Sequence, residues 1–523
     1  MKVAVLPVVP RIFPLVLASA LVVPLAACGG GGTSLTLTDL PANAVIGAKR
    51  AADLVVHVHA SSVRKATASI DGRQVEVSTG DRLVTVTATG LAAGKHKLTV
   101  HAGGASVSRS FSVDTTPPTL QVQAPATAPS LRSSVTVTGS VSDAVRVTAG
   151  DQAVPVSAGH FSLTLPAPPA RLPIVAVDAA GNEATQLVAV AVHHPVMRGV
   201  HLTGYGWNAD VLRKPVLALA RQHKINTIEL DIKEEDGFVN FDTTVALSHT
   251  MHAVRVLYDP KKVVAQLHAM GLRVVGRIVC FRDPKMAGWA WRHGHRDWVV
   301  QSPKGGPYNS AKYGGAAFTN WANPEVQKYN IDLATEAAKN GFDDVMYDYV
   351  RRPDGPLSTM KFPGATVAAP VGVTNFVRDT SGPVRDNGAY LGLAVFGVSA
   401  TRPKEVGQDI GAMAKYVDYV APMVYPSHWG PGEYNVANPN AQPYAIVNKS
   451  LKDFQKKVTG TNAQVMPWLQ DFSLGVTYNV PQVKAQILAA ARDGIGSFFL
   501  WNAGCSYQGG ALVADPSLPQ TKD

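Results

Sequence analysis

From residue 196 onward, short apolar runs alternate with helix-period segments, and this alternation constrains the fold more than any other feature of the chain. Candidate strands fall at 198–203, 226–233, 272–281, 342–350, 390–397, 417–425, 463–470 and 496–501. Helical patterns lie between most of them. The clearest begin at Asp259-Pro260, Asn323-Pro324, Arg402-Pro403 and Val480-Pro481, where proline suits a first turn. Segment 371–388 reads as a poorer helix, because Gly382-Pro383 interrupts it. Eight strand–helix repeats predict an α/β (β/α)8 TIM barrel over residues 195–523. A doubly wound open sheet is the alternative, but no Gly-rich phosphate loop follows the first strand.

The residues before this region have a different composition. All eight tryptophans and all fifteen tyrosines lie after residue 200. Residues 33–194 are rich in Val, Thr, Ser and Ala, with period-two stretches such as Ser134-Val135-Thr136-Val137-Thr138. That pattern predicts two antiparallel all-β sandwiches, at 34–114 and 115–194. The second runs from Asp114-Thr115-Thr116-Pro117-Pro118 to the Asp178-Ala179-Ala180-Gly181-Asn182 turn, and it resembles bacterial immunoglobulin-like modules; the first matches more loosely. Neither gathers acids or aromatics in the manner of a site, so spacer or adhesion duty is expected. The chain is therefore multidomain, and the composition break predicts that a fragment from residue 195 folds by itself.

At the N-terminus, Lys2 and Arg11 precede an apolar run from Ile12 to Ala27 that ends Leu25-Ala26-Ala27-Cys28-Gly29. The run is too short to span a bilayer and reads as a secretion signal, 1–27. Leu-Ala-Ala-Cys-Gly resembles the bacterial lipobox, which implies lipidation at Cys28, a Gly-rich tether at 28–33 and a membrane-attached, extracytoplasmic protein. The remaining cysteines, Cys280 and Cys505, are too few for a disulfide framework and read as packing residues. The formal charge of +10 permits an anionic partner, but no nucleic-acid-binding motif accompanies it.

In a barrel, chemistry sits at the carboxyl ends of the strands. Asp348, in the run Val345 to Val350, is an acid in an apolar strand end and needs a partner or a task. Strict alternation in Ile228-Glu229-Leu230-Asp231-Ile232-Lys233 directs Glu229, Asp231 and Lys233 into the lumen. Arg277, if it points inward, lies between Asp231 and Asp348 and keeps both ionised. The alternative is a structural Asp–Arg–Asp cluster. Later strands end with Tyr425, His428, Trp468, Gln470 and Trp501, a set whose rings stack on sugar C–H faces and whose amides bind hydroxyls.

These segments resemble a bacterial family of glycosyl-hydrolase-like barrels of uncharacterised specificity. The matching pieces are Arg198 to Gly204, Asp231-Ile232-Lys233 with Gly237, Arg277 to Pro284, Gly341 to Asp344, Tyr347 to Arg351, Met423 to His428 and Pro467 to Phe472. The resemblance implies hydrolysis of a polysaccharide or oligosaccharide. Arg352 departs from it, where an aromatic substrate contact is expected. Glycoside hydrolysis needs two carboxyl groups. Asp348 is the candidate for the ionised one and Asp471 for the acid, although strand parity disfavours Asp471 and leaves Asp231 or Glu235 as alternatives. No His-x-x-x-His or Cys-x-x-Cys spacing occurs, so neither metal nor cofactor is expected, and the protein reads as a monomer. The competing readings are a non-catalytic carbohydrate-binding protein on the same scaffold, or another envelope-polymer enzyme such as a deacetylase or lyase.

Overall fold

The structure, a computed structural model, describes residues 33–517. The lipidation site read at Cys28 lies outside the described residues, as does the signal segment. Among the described residues no helix is long and apolar enough to cross a membrane.

Two compact units appear. The first comprises the described residues up to Pro117 together with Ala179–Asn182. It is built of eight strands, and in Asp53–Ala60 the period-two pattern buries Leu54, Val56, Val58 and Ala60 on one face. The second unit holds everything else, a smaller sandwich and the barrel. That sandwich pairs a three-stranded sheet (Thr119–Gln123, Val135–Ser142, His160–Leu165) with a four-stranded one around Val137, Phe161, Ile174 and Ala176.

The barrel strands are β1 (Arg198–Leu202), β2 (Thr227–Lys233), β3 (Arg273–Val279), β4 (Asp344–Asp348), β5 (Tyr390–Phe396), β6 (Tyr419–Met423), β7 (Trp468–Gln470) and β8 (Phe498–Trp501). All pair in parallel, and β5 also pairs with β6, so the sheet closes on itself. The short pair Gln464–Val465 precedes β7, and Pro467, which has no N–H for the ladder, separates the two.

The helix starts follow from their caps. Asp259 accepts from Lys262 N, Asn323 accepts from Glu325 N and Val326 N, and Asn479 forms a capping box with Gln482. Two segments depart from the sequence reading. Arg402-Pro403 opens only a four-residue helix, which Gly407 ends in the left-handed region at φ +73°. Conversely, Ala369–Arg385 is one helix that runs through Pro383. Proline lies in its last turn, and the buried stripe of Val373, Phe376, Val377, Thr380 and Val384 keeps the helix together.

The second sandwich meets the barrel at the amino ends of its strands. His194 is 1% exposed and its Nε2 lies 2.5 Å from Asp344 Oδ1, while Arg273 Nε donates to Asp344 Oδ2 at 2.6 Å. Tyr390 of β5 joins the apolar core of the sandwich, and Arg385 Nη2 donates to Val190 O at 2.6 Å.

Candidate active site

At the opposite end, β2, β3 and β4 converge on one guanidinium. Arg277 projects into the lumen and is 1% exposed. Its Nη1 donates to Asp231 Oδ1 at 2.6 Å, and its Nε and Nη2 donate to Asp348 Oδ2 at 3.1 and 2.7 Å. Nη2 also donates to Glu235 Oε1 at 2.5 Å, from the loop after β2. A planar five-donor fork can serve several carboxylates at once in a fixed geometry. Burial works against charge on Arg277, but Glu235, Asp231 and Asp348 outweigh it and hold the guanidinium's pKa well above its ordinary value. Burial also raises Glu235, yet the charge and hydrogen bond of Arg277 win and bring it down to about 2. For Asp231 burial prevails, and its carboxyl is pushed well above the usual range despite Arg277.

Asp348 is fixed at both oxygens. The strand ends on it, and Tyr349 follows in the left-handed region at φ +48°. Bulky side chains avoid that region at a cost on the order of 1–3 kcal/mol. The turn brings Tyr349 N–H back onto Asp348 Oδ1 at 2.6 Å, while Arg277 holds Oδ2. Above the acids opens a cavity of about 140 Å³ lined by Glu235, Arg277, Asp348, Tyr349, Trp468 and Trp501. Arg277 Cζ lies 5.0 Å from the Trp501 ring centre.

Seven of the residues singled out in the sequence meet at this cleft: Asp348, Glu235, Arg277, Tyr425, His428, Trp468 and Trp501. The others do not reach it. Asp231 lies behind Arg277, and Glu229 is fully buried against His201, with Nδ1 to Oε2 at 2.5 Å. Gln470 accepts from Ser427 N and donates to Phe472 O, so it fastens the loops after β6 and β7 and leaves no amide for a sugar. Asp471 is 2% exposed and accepts from Gln508 N. Burial raises it to about 6, an acid's value, but it faces the C-terminal segment. Lys233, expected in the lumen, points the other way. A register break between Asp231 and Lys233 turns its Nζ to Asp283 Oδ2 and Asn330 Oδ1, both at 2.9 Å. Arg352 is 3% exposed and donates to the carbonyls of Pro353, Gly355 and Lys404, so it braces a loop.

Sequence reasoning missed Tyr313 and Lys312, which a hairpin in the long segment after β3 carries to the cleft. It carries no periodic signal. Tyr349 was accessible in principle, since it adjoins Asp348. Arg282 lies 4.2 Å from the Tyr313 ring centre and 5.1 Å from that of Tyr349, and joins the hairpin to β4.

Among the described residues one group, His201, Glu229 and Asp231, brings metal-type donor atoms within 4.8 Å of one another. His201 Nδ1 is already taken by Glu229 and Asp231 Oδ1 by Arg277, whose positive charge lies where a cation would have to be accommodated. The group fits a hydrogen-bonded network better than a metal.

Several known proteins are similar to this chain. Among solved structures, a hypothetical protein from Ruminiclostridium thermocellum is 26% identical over 37% of this chain and 96% of its own, with a TM-score of 0.32. The PgaB (BpsB) glycoside hydrolase domain from Bordetella bronchiseptica is 14% identical over 60% of this chain and 95% of its own, with a TM-score of 0.44. The spore cortex-lytic enzyme SleL from Bacillus cereus is 12% identical over 62% and 75%, with a TM-score of 0.37. No curated protein matches the chain. A family model does, over residues 199–507, which is more than half of the chain and includes every cleft residue named above. The chain thus belongs to the family described as "Putative glycosyl hydrolase domain".

Proposed function

We propose that the protein is a glycoside hydrolase that cuts a polysaccharide or oligosaccharide in the cleft above Arg277, and that it works outside the cytoplasm, tethered by lipid at Cys28. One observation carries the catalytic reading. Asp348 and Glu235 line the same aromatic-walled cavity, and their nearest oxygens share Arg277 Nη2 at 2.7 and 2.5 Å. Those oxygens are therefore no more than about 5 Å apart, within reach of the two-carboxylate geometry of retaining hydrolases. Asp348, held at both oxygens, acts as the ionised carboxylate that stabilises an oxocarbenium-like transition state. Glu235 replaces Asp471 and Asp231 as partner, since it alone of the three faces the cleft. In the free protein Arg277 keeps it ionised. A sugar ring over the pair excludes water, and two neighbouring anions then favour sharing one proton, which equips Glu235 to protonate the leaving oxygen.

That same ionised state favours a second reading, a carbohydrate-binding protein on a hydrolase scaffold, because Glu235 does not stand protonated in advance. The experiment is a screen of residues 33–523 against bacterial envelope and plant polysaccharides, with reducing ends and direct binding measured side by side. New reducing ends that vanish in Asp348→Asn and Glu235→Gln support hydrolysis. Binding without cleavage by the folded wild type overturns it in favour of the binding protein.

A further inference from the structure

Beneath the cleft the lumen holds a polar pair for which the hydrolytic reading has no use. His201 on β1 and Glu229 on β2 are register partners, at 1% and 0% side-chain exposure. Nδ1 and Oε2 are 2.5 Å apart, and Nε2 faces Asp231 Oδ2 at 3.5 Å. Asp231 in turn carries Arg277, and Arg277 carries Asp348 and Glu235. A polar chain therefore runs from Glu229 through an imidazole to the cleft carboxylates.

The position of one proton decides what this chain does. If Glu229 were ionised and His201 cationic, Oε1 of Glu229 would be a bare anionic oxygen, since it is buried and has no hydrogen-bond partner. The imidazolium would also stand close to Arg277. If the carboxyl keeps its proton, the second cost disappears and the first falls to that of an unpartnered neutral carbonyl oxygen, and the short contact becomes an O–H donated to the ring. We propose that Glu229 is a proton-holding positioning residue: un-ionised at neutral pH, it donates to His201 Nδ1, so that the neutral ring turns Nε2–H towards Asp231, whose Oδ1 orients Arg277.

The surrounding charges support this assignment. For Glu229, burial raises the carboxyl well above its ordinary value; Arg277 opposes this, and Asp348, Glu235 and Glu234 reinforce it. For His201, burial lowers the imidazole; Asp231, Glu235 and Glu234 pull upward, and Arg277 pushes down. From β6 and the loop beyond it, Tyr419 and Tyr425 face the pair, and Cys505 and Tyr507 do so from beyond β8. Burial raises all four, so they stay neutral through the physiological range. Trp468 and Trp501 pack around His201 and add no charge.

The catalytic consequence rests on the hydrolase reading, but the test needs no substrate. Infrared difference spectra of the full chain, wild type minus Glu229→Gln at neutral pH, are expected to show the carbonyl stretch of an un-ionised carboxylic acid. With histidine labelled by nitrogen-15, the His201 signal, assigned by its loss in His201→Asn, is expected to report a neutral ring protonated at Nε2 from about pH 5 to 9. Carboxylate bands at neutral pH, an imidazolium signal, or a zinc-induced shift of Nε2 would each overturn the proposal. If Glu229→Gln fails to fold, the wild-type nitrogen spectrum still decides. Where turnover is measurable, its alkaline limb, reported relative to each protein's neutral-pH rate, moves in Glu229→Gln; an unmoved limb removes the positioning role.

Discussion

Asp348 separates chemistry from architecture in a single substitution. Asp348→Asn keeps the shape and the Tyr349 N–H bond but removes the charge, and turnover is expected to fall by at least about 10³-fold with the fold and polysaccharide affinity retained. A purely structural Asp348 predicts instead a stability loss of roughly 3–5 kcal/mol, read in denaturant, with activity lost only through unfolding. Asp471 and Glu235 differ in how they respond to pH. Asp471 is raised to about 6, so its proton-linked stability is present in acid and is lost as pH rises through 6. Asp471→Asn is therefore expected to melt no lower than wild type at pH 7 and to keep its turnover; a large rate loss would restore it as the acid. Glu235 is lowered to about 2, so its contribution is present above the ordinary carboxylate range and is lost as pH falls towards 2. In acid titrations followed by melting temperature, Glu235→Gln should flatten that descent.

At the scale of elements, close packing between strands offers a sharper test than propensity. A Cβ on Gly392 of β5 would run into the ring of Tyr419 on β6, so Gly392→Ala is expected to cost roughly 1–3 kcal/mol in denaturant unfolding, as overpacking does. A neutral result would mean that the ring has room to move. The same scale shows what the residues disclosed. The eight strands were legible because fully buried parallel strands leave apolar runs, and the proline-started helices because Asp259, Asn323 and Asn479 cap them. Asp348 and Arg277 were legible because charge inside an apolar strand has few explanations. Lys233 was misread because a single register break reverses the facing of every residue after it, and no residue type marks that break. Glu235 entered only as an alternative, since alternation says nothing about loops. Pro383 misled because its helix is held by a buried face, which local chain preference does not report.

Across the whole molecule, the composition break near residue 195 and the compact units do not coincide. The second sandwich clusters with the barrel, and the first stands as its own unit. A fragment from 118 to 523 is expected to unfold in one cooperative transition, and a fragment from 195 to 523 to melt lower. The shorter piece loses His194 from Asp344 and uncovers Tyr390. Equal melting temperatures for the two fragments would show that the contact contributes nothing. The buried His194 also bears on how such chains are assembled over evolutionary time. Gene shuffling usually exchanges modules at linkers that neither neighbour needs. Here the last residues of the sandwich segment complete the floor of the barrel, so a crossover at the composition break would hand the barrel a partner lacking its histidine and leave Asp344 with Arg273 alone. Recombinants that exchange residues 118–192 and retain the His193-His194-Pro195 joint are the ones expected to express as folded protein.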